Sequence, residues 1–299
     1  MAISQSLVSA EWLSQRLEDP QIRVIDIRGV VRTVADEAGR QHASYESLHA
    51  DYLAAHIPGA VFVDWTTDIV DPVATLKAQI APADRFAEVM SRLGVGNDTL
   101  VIAVDGAGGH LATRLWWALR YYGHDQVAVL DGGMAYWVEN GFPVETGEVQ
   151  VTPAIFTATQ RSGLIASADD VLELTKTRDR QLVDARDPAT FSGQVQRASR
   201  GGHIPTAINL PSSALIGPEG TWKAPDEIRA AARDAGVDPT APVTAYCNGG
   251  VTATAVLFGL HLAGLDDISN YDGSWNEWGE RHDLPVEANQ DLWNRSPKE

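Results

Sequence analysis

The chain has 299 residues, 44% of them hydrophobic and 21% charged, a globular composition with length enough for two domains that each bury a core. A formal net charge of -17 and a sequence pI near 4.8 leave no excess of Lys or Arg to neutralise phosphates, which argues against nucleic-acid or anionic-membrane partners. One cysteine excludes an internal disulfide framework and a cysteine-cluster metal site. With no basic-then-apolar leader and no run approaching ~20 apolar residues, the expected setting is cytoplasmic.

Short runs rich in Val and Ile predict strands near 22–26, 61–63, 99–104 and 127–130. Between them, helices fit 82–93, opened by Pro82 and followed by Gly94, and 109–122, which stops before Gly123. The stretch 149–163, with Pro153 and many polar residues, reads as a linker. Beyond it come a helix over 167–176 and strands near 181–184 and 208–210. A helix over 225–235 between Pro225 and Gly236, a strand near 243–247, a helix over 250–263 and a strand near 268–271 complete the series. Alternation of this kind predicts an α/β fold, a parallel sheet flanked by helices in each of two units, 1–148 and 164–299.

The two units repeat one another. Asp26-Ile27-Arg28 is echoed by Asp184-Ala185-Arg186, and His56-Ile57-Pro58 by His203-Ile204-Pro205. Gly108-Gly109 through Thr113 matches Gly249-Gly250 through Thr254, and Asp131-Gly132 through Trp137 matches Asp272-Gly273 through Trp278. These two pairs share a spacing of 141 (249−108 and 278−137). Four motifs in one order indicate a duplicated domain.

Cys247 follows the apolar run 242–246 and precedes Asn248-Gly249-Gly250-Val251-Thr252, where a helical pattern begins. A thiol so placed sits at the carboxyl end of a strand, where open α/β sheets bind their ligands. The two glycines let the backbone curl with its amides inward, and the positive end of the following helix adds to a field that favours a thiolate. Amides from roughly Gly249 to Thr252 form a cradle for an outer sulfur. A lone cysteine is more often a small buried hydrophobe, but the strand end, glycine pair and helix start around Cys247 make it the candidate nucleophile.

Tyr246-Cys247-Asn248-Gly249-Gly250-Val251-Thr252-Ala253, with Tyr271-Asp272-Gly273-Ser274-Trp275 and Trp278 after it, resembles the active half of tandem-domain rhodaneses and 3-mercaptopyruvate sulfurtransferases. The duplicated Asp-x-Arg and His-Ile-Pro motifs extend the resemblance over nearly the whole chain. It implies two tandem rhodanese-like domains of which only the second is catalytic. In the first, the position equivalent to Cys247 is Gly106 (247−141). Cysteine-loop phosphatases need an Arg six positions after the cysteine to grip an oxyanion, and position 253 is Ala.

The resemblance further implies a ping-pong sulfurtransferase that carries sulfur as a Cys247 persulfide, with no resident cofactor or metal. Its partners are a small anionic donor, thiosulfate or 3-mercaptopyruvate, and an outside acceptor: cyanide, a thiol or a carrier protein. Arg186 then occupies the substrate-binding arginine position, with Arg197 or Arg200 as a second clamp. The uncharged Asn248, Gly249 and Gly250 tilt the choice toward 3-mercaptopyruvate, since a loop without a cation stabilises a dianionic donor less well. His56 corresponds to a first-domain histidine with an acid–base role in some members, yet its repetition as His203 gives a loop-pinning role first place. Ser274 and Trp275 are candidate pocket walls. The rival function is a relay module that takes persulfide from a partner protein.

Overall fold

The computed structural model describes residues 6–37 and 39–288; the chain ends 1–5 and 289–299, which the two expected units include, lie outside them. Its first sheet joins β1 (Leu7–Val8), β2 (Ile22–Asp26), β5 (Val61–Phe62), β6 (Leu100–Val104) and β7 (Val127–Leu130) in the order β1-β7-β6-β2-β5. The second joins β8 (Ile165–Ala166), β9 (Gln181–Asp184), β10 (Ile208–Asn209), β11 (Val243–Tyr246) and β12 (Ile268–Tyr271) in the order β10-β9-β11-β12-β8. Every pairing within these sheets is parallel, and the two orders are the same once the copies are aligned.

Helices flank both sheets. In the first unit they are α1 (Ala10–Ser14), α2 (His49–Ala54), α3 (Ala83–Arg92), α4 (His110–Tyr121) and α5 (Gly133–Glu139). In the second they are α6 (Ala168–Thr177), α7 (Pro188–Ser192), α8 (Pro225–Ala235), α9 (Thr252–Leu262) and α10 (Ser274–Trp278). Pro225 stands at the first position of α8 and Gly236 ends it with φ of 94°, the Pro-in, Gly-out asymmetry read in the sequence.

Strands β6 and β11 are buried throughout, as central parallel strands must be when both faces are covered by helices. One apolar cluster runs through both units across the packing of α4 on α9, where Trp116 meets Phe258 edge-on at 5.0 Å. Thr113 and Thr254, 141 residues apart, touch hydroxyl to hydroxyl at 3.1 Å. Equivalent residues in contact mark the pseudo-two-fold axis of the repeat, so the loops before α4 and α9 front one another. The stretch 149–163 runs along the first unit, with Ala154, Thr159 and Arg161 amides bonded to the Ser91, Tyr122 and Tyr121 carbonyls.

One element departs from the repeat. β3 (Gly29–Ala35) and β4 (Gln41–Ser47) form an antiparallel hairpin. Its Gln41 amide donates to the Gln196 carbonyl, so this first-unit arm leans onto the second.

Candidate active site

Cys247 leaves the carboxyl end of β11 buried, 3% exposed. Its amide donates to Ser274 Oγ at 3.1 Å, and its carbonyl accepts the Trp275 amide at 3.1 Å. Ser274 is a non-glycine residue at φ 51°, and its hydroxyl donates to the Tyr271 carbonyl. Such a backbone persists only where its surroundings hold it; here it fixes the base of the cysteine. Ser274 and Trp275 therefore support Cys247 from behind, and the Trp275 indole donates to the Arg200 carbonyl.

The loop Asn248–Thr252 depends on Gly250. At φ 74°, a Cβ there would stand 2.7 Å from Asp272 Oδ1 and 2.8 Å from the Asp272 carbonyl. The Gly250 carbonyl accepts Arg114 Nη1 at 3.2 Å and Asn270 Nδ2 at 3.0 Å. Arg114 belongs to α4, so the first unit helps to hold the loop.

Among the described residues, a smaller and a larger cleft open onto Cys247. The smaller, about 210 Å3, lies within the second unit and is lined by Arg186, Arg197, Ser212 and Ser213. The larger, about 360 Å3, lies between the units, against Val30 and Val31 of the hairpin, Tyr45, Asp105 and His110. Arg197, Asn248 and Thr252 border both, and Val251 the larger.

The arginines divide. Arg186 is buried against Asp184, which takes Nε at 2.9 Å and Nη2 at 2.5 Å, while Nη2 also donates to the Gly202 carbonyl. Burial opposes its charge, but the Asp184 carboxylate outweighs this and raises its pKa. Nη1 is buried with no hydrogen-bond partner among the described residues. A guanidinium nitrogen in that state beside a cleft suits an anionic ligand. Arg28 repeats the Asp26 pairing and bonds the carbonyl before His56, so part of the Arg186 role is to pin its own His-Ile-Pro loop.

Arg197 borders both clefts, and its Nε donates to Gln41 Oε1 at 3.1 Å. Arg200 is placed differently. Its guanidinium donates to the backbone carbonyls of Trp278, Gly279, Arg281 and Leu284, and it ties down the chain after α10. Of the two alternatives for a second clamp, the geometry brings Arg197 to Cys247 and holds Arg200 away.

His56 also lies apart from both clefts, fully buried, with Nδ1 on the Tyr52 carbonyl and the ring stacked on Tyr52. His203 repeats this with the Phe191 carbonyl and ring. An acid–base relay from His56 to Cys247 does not fit that placement; pinning a loop in each copy does.

Three residues at the site carry no signal of their own in the sequence. Tyr45, half-buried, borders the larger cleft; its hydroxyl bonds to Asn276, and burial raises its pKa against that bond. Ser212 and His110 border the smaller and the larger cleft and bond to one another at 3.2 Å. His110 alone had an available clue: it stands 141 positions before Val251.

The silent loop differs in its charge. Asp105 Oδ2 accepts the Leu111 and Ala112 amides at 3.0 and 3.2 Å, so the first turn of α4 already holds a carboxylate. Burial pushes this carboxyl up to about 6 in spite of those bonds. At the equivalent position of the second unit stands Tyr246 (246−141 = 105), whose hydroxyl instead accepts the Ile204 amide.

A five-stranded parallel sheet given twice, with one thiol at a strand end, defines the class: the chain belongs to the rhodanese family, the rhodanese-like domain model matching residues 9–140 and 167–281. Within that family it is a sulfurtransferase. It is 35% identical over 283 residues to the 3-mercaptopyruvate sulfurtransferase of Escherichia coli, covering 94% of this chain and 97% of that one. Chicken (Gallus gallus) thiosulfate sulfurtransferase is 34% identical, at 94% and 95% coverage, and the sulfur carrier protein TtuD of Thermus thermophilus 32%, at 94% and 95%. The crystal structure of SseA from Escherichia coli, described as a 3-mercaptopyruvate sulfotransferase, superposes with a TM-score of 0.80 at 33% identity, covering 91% of this chain and 99% of that one.

Proposed function

We propose that residues 164–299 form the catalytic unit, with 1–148 as its thiol-free companion and 149–163 as linker, and that sulfane sulfur passes through a Cys247 persulfide. The observation that carries the reading is Arg186, which borders a cleft together with Cys247 and whose Nη1 is buried with no hydrogen-bond partner among the described residues. With 3-mercaptopyruvate, the thiolate attacks the donor sulfur, the carbon–sulfur bond breaks, and pyruvate leaves as its enolate. With thiosulfate, the sulfur–sulfur bond breaks and sulfite leaves. Arg186 and Arg197 bind the donor anion, and the amides from Gly249 to Thr252 stabilise the charge on sulfur. The uncharged loop after Cys247 favours 3-mercaptopyruvate. The acceptor is cyanide, a thiol or a carrier protein, in a cytoplasm that keeps a lone thiol reduced.

The test compares kcat/KM for the two donors, with cyanide as acceptor, in wild type and Cys247→Ser. Transfer lost in a folded Cys247→Ser variant supports the persulfide, because a hydroxyl cannot form one; retained turnover refutes it. A second reading, a protein-fed relay, draws on the similarity to the sulfur carrier protein. It predicts a reactive Cys247 that neither small donor loads.

A further inference from the structure

His110 opens α4 on the side of the larger cleft, across from the cysteine loop, because the pseudo-two-fold axis at Thr113 and Thr254 sets the two loops face to face. Its Nε2 lies 3.2 Å from Ser212 Oγ. Ser212 is 5% exposed and borders the smaller cleft beside Arg186 and Cys247. A Ser–His pair is thus assembled at the thiol from two domains, where neither half holds it alone. Burial lowers the His110 pKa and keeps its imidazole neutral near pH 7, able to accept a proton. The ionisable side chains sharing its cleft are Asp105, Tyr45, Arg197 and Cys247. Asp131 accepts the Trp222 amide, and the Trp222 ring packs against Gly109 next to the imidazole.

We propose that Ser212 and His110 form a proton relay for the second half-reaction, in which a thiol acceptor takes sulfur from the Cys247 persulfide. This rests on Cys247 carrying that persulfide. The acceptor sulfur attacks the outer sulfur and a new sulfur–sulfur bond forms. The bond from outer sulfur to Sγ breaks, with its electron pair leaving on Sγ as thiolate. The acceptor's proton passes to Ser212 Oγ as the Ser212 hydroxyl proton passes to His110 Nε2. Imidazolium then returns its proton to water through the cleft. Ser212 touches the acceptor, and His110 acts through it.

The test separates loading from discharge. Wild type, His110→Gln, Ser212→Ala, the double variant and Ser212→Thr are loaded with each donor, and the persulfide is counted by mass spectrometry. Each is then discharged with dithiothreitol in single turnover. At pH 7, His110→Gln and Ser212→Ala are expected to discharge on the order of 10²-fold slower, a typical loss for general base catalysis, with loading affected far less. The double variant is expected to fall no further, since both residues serve one transfer. Ser212→Thr, which keeps a hydroxyl, is expected to recover most of the rate. At pH 10 the acceptor is already a thiolate and the deficit is expected to close. A deficit that persists at pH 10, single losses that multiply, or a loss confined to loading would overturn the relay while leaving the persulfide standing. Wild type that takes no sulfur from either donor would overturn the small-donor enzyme on which the proton relay rests and favour the protein-fed module.

Discussion

Arg114 of α4 and Asp272, after β12, form a buried ion pair of 2.5 Å between the two domains. Arg114 Nη2 donates to the Ala78 carbonyl at 2.7 Å, and Asp272 Oδ2 accepts the Ile80 amide at 2.9 Å. With the bond from Arg114 to the Gly250 carbonyl, the pair stitches together α4, the 78–80 segment and the cysteine loop. Arg114→Met leaves the Asp272 carboxylate buried without its partner. It is expected to cost about 3–5 kcal/mol in urea unfolding and to lower sulfur transfer through the loosened loop. A loss under about 1 kcal/mol would mean that the surrounding amides satisfy Asp272 without it.

The adjacent glycines of the loop are not equivalent. Gly250→Ala combines a left-handed backbone with a Cβ 2.7 Å from Asp272 Oδ1, so stability is expected to fall by about 1–3 kcal/mol and transfer to be nearly lost. A Cβ at Gly249 would meet Asn276 Nδ2 at 3.0 Å and the Tyr45 hydroxyl at 3.4 Å, both ends of side chains able to yield. Gly249→Ala is expected to keep its stability within about 1 kcal/mol of wild type and to change donor KM more than kcat. Thermal melts and donor kinetics on the two variants check the contrast.

Arg197 isolates donor binding better than Arg186 does. Arg186→Ala strands the buried Asp184 and mixes a folding defect with a binding one. Arg197→Ala removes a partly exposed guanidinium bonded to Gln41 and is expected to reduce donor kcat/KM by about 1.5–3 kcal/mol, with little change in unfolding midpoint. Unchanged kinetics would assign Arg197 to holding the hairpin alone.

Asp105 gives the fold a pH dependence of definite sign. Its folded pKa of about 6 lies above the ordinary 3.8, so between those values the folded state binds more protons than the unfolded state. Stability from this group therefore falls as pH rises from about 4 to about 6 and is level above that. The displacement corresponds to about 3 kcal/mol. The stability of wild type minus that of Asp105→Asn is expected to shrink by this order between pH 4 and pH 7 in urea unfolding. A flat difference would show the carboxylate already ionised at pH 4.

Four strands of each sheet were legible because they are the Val- and Ile-rich runs, and those expected at 22–26, 127–130, 181–184 and 268–271 appear with the same bounds; the two-residue edge strands β1 and β8 are too short to carry such a pattern. Pro225 and Gly236 likewise fixed α8. The β3–β4 hairpin was not, because its outer residues are mostly polar or solvent-exposed and neither face carries an apolar stripe into a core. Cys247 announced itself through its own neighbours in sequence. Tyr45 and His110 meet it only through the docking of two domains, and Ser212 only through the folding of its own, which no local pattern encodes. Arg197 and Arg200 look alike in sequence, and only the carbonyl cage around Arg200 separates them.

The Gln41 bond to Arg197 and the hairpin wall of the larger cleft mean that the cysteine-bearing half does not build the surroundings of its thiol alone. Severed from its companion, it would keep the thiol and the loop sequence. It would lose the Gln41 brace on Arg197, the Arg114 support under Gly250 and one wall of the larger cleft. The copy without a thiol thus walls one side of the larger cleft, and the duplication divides the structure: one domain carries the cysteine, the other closes the space in front of it.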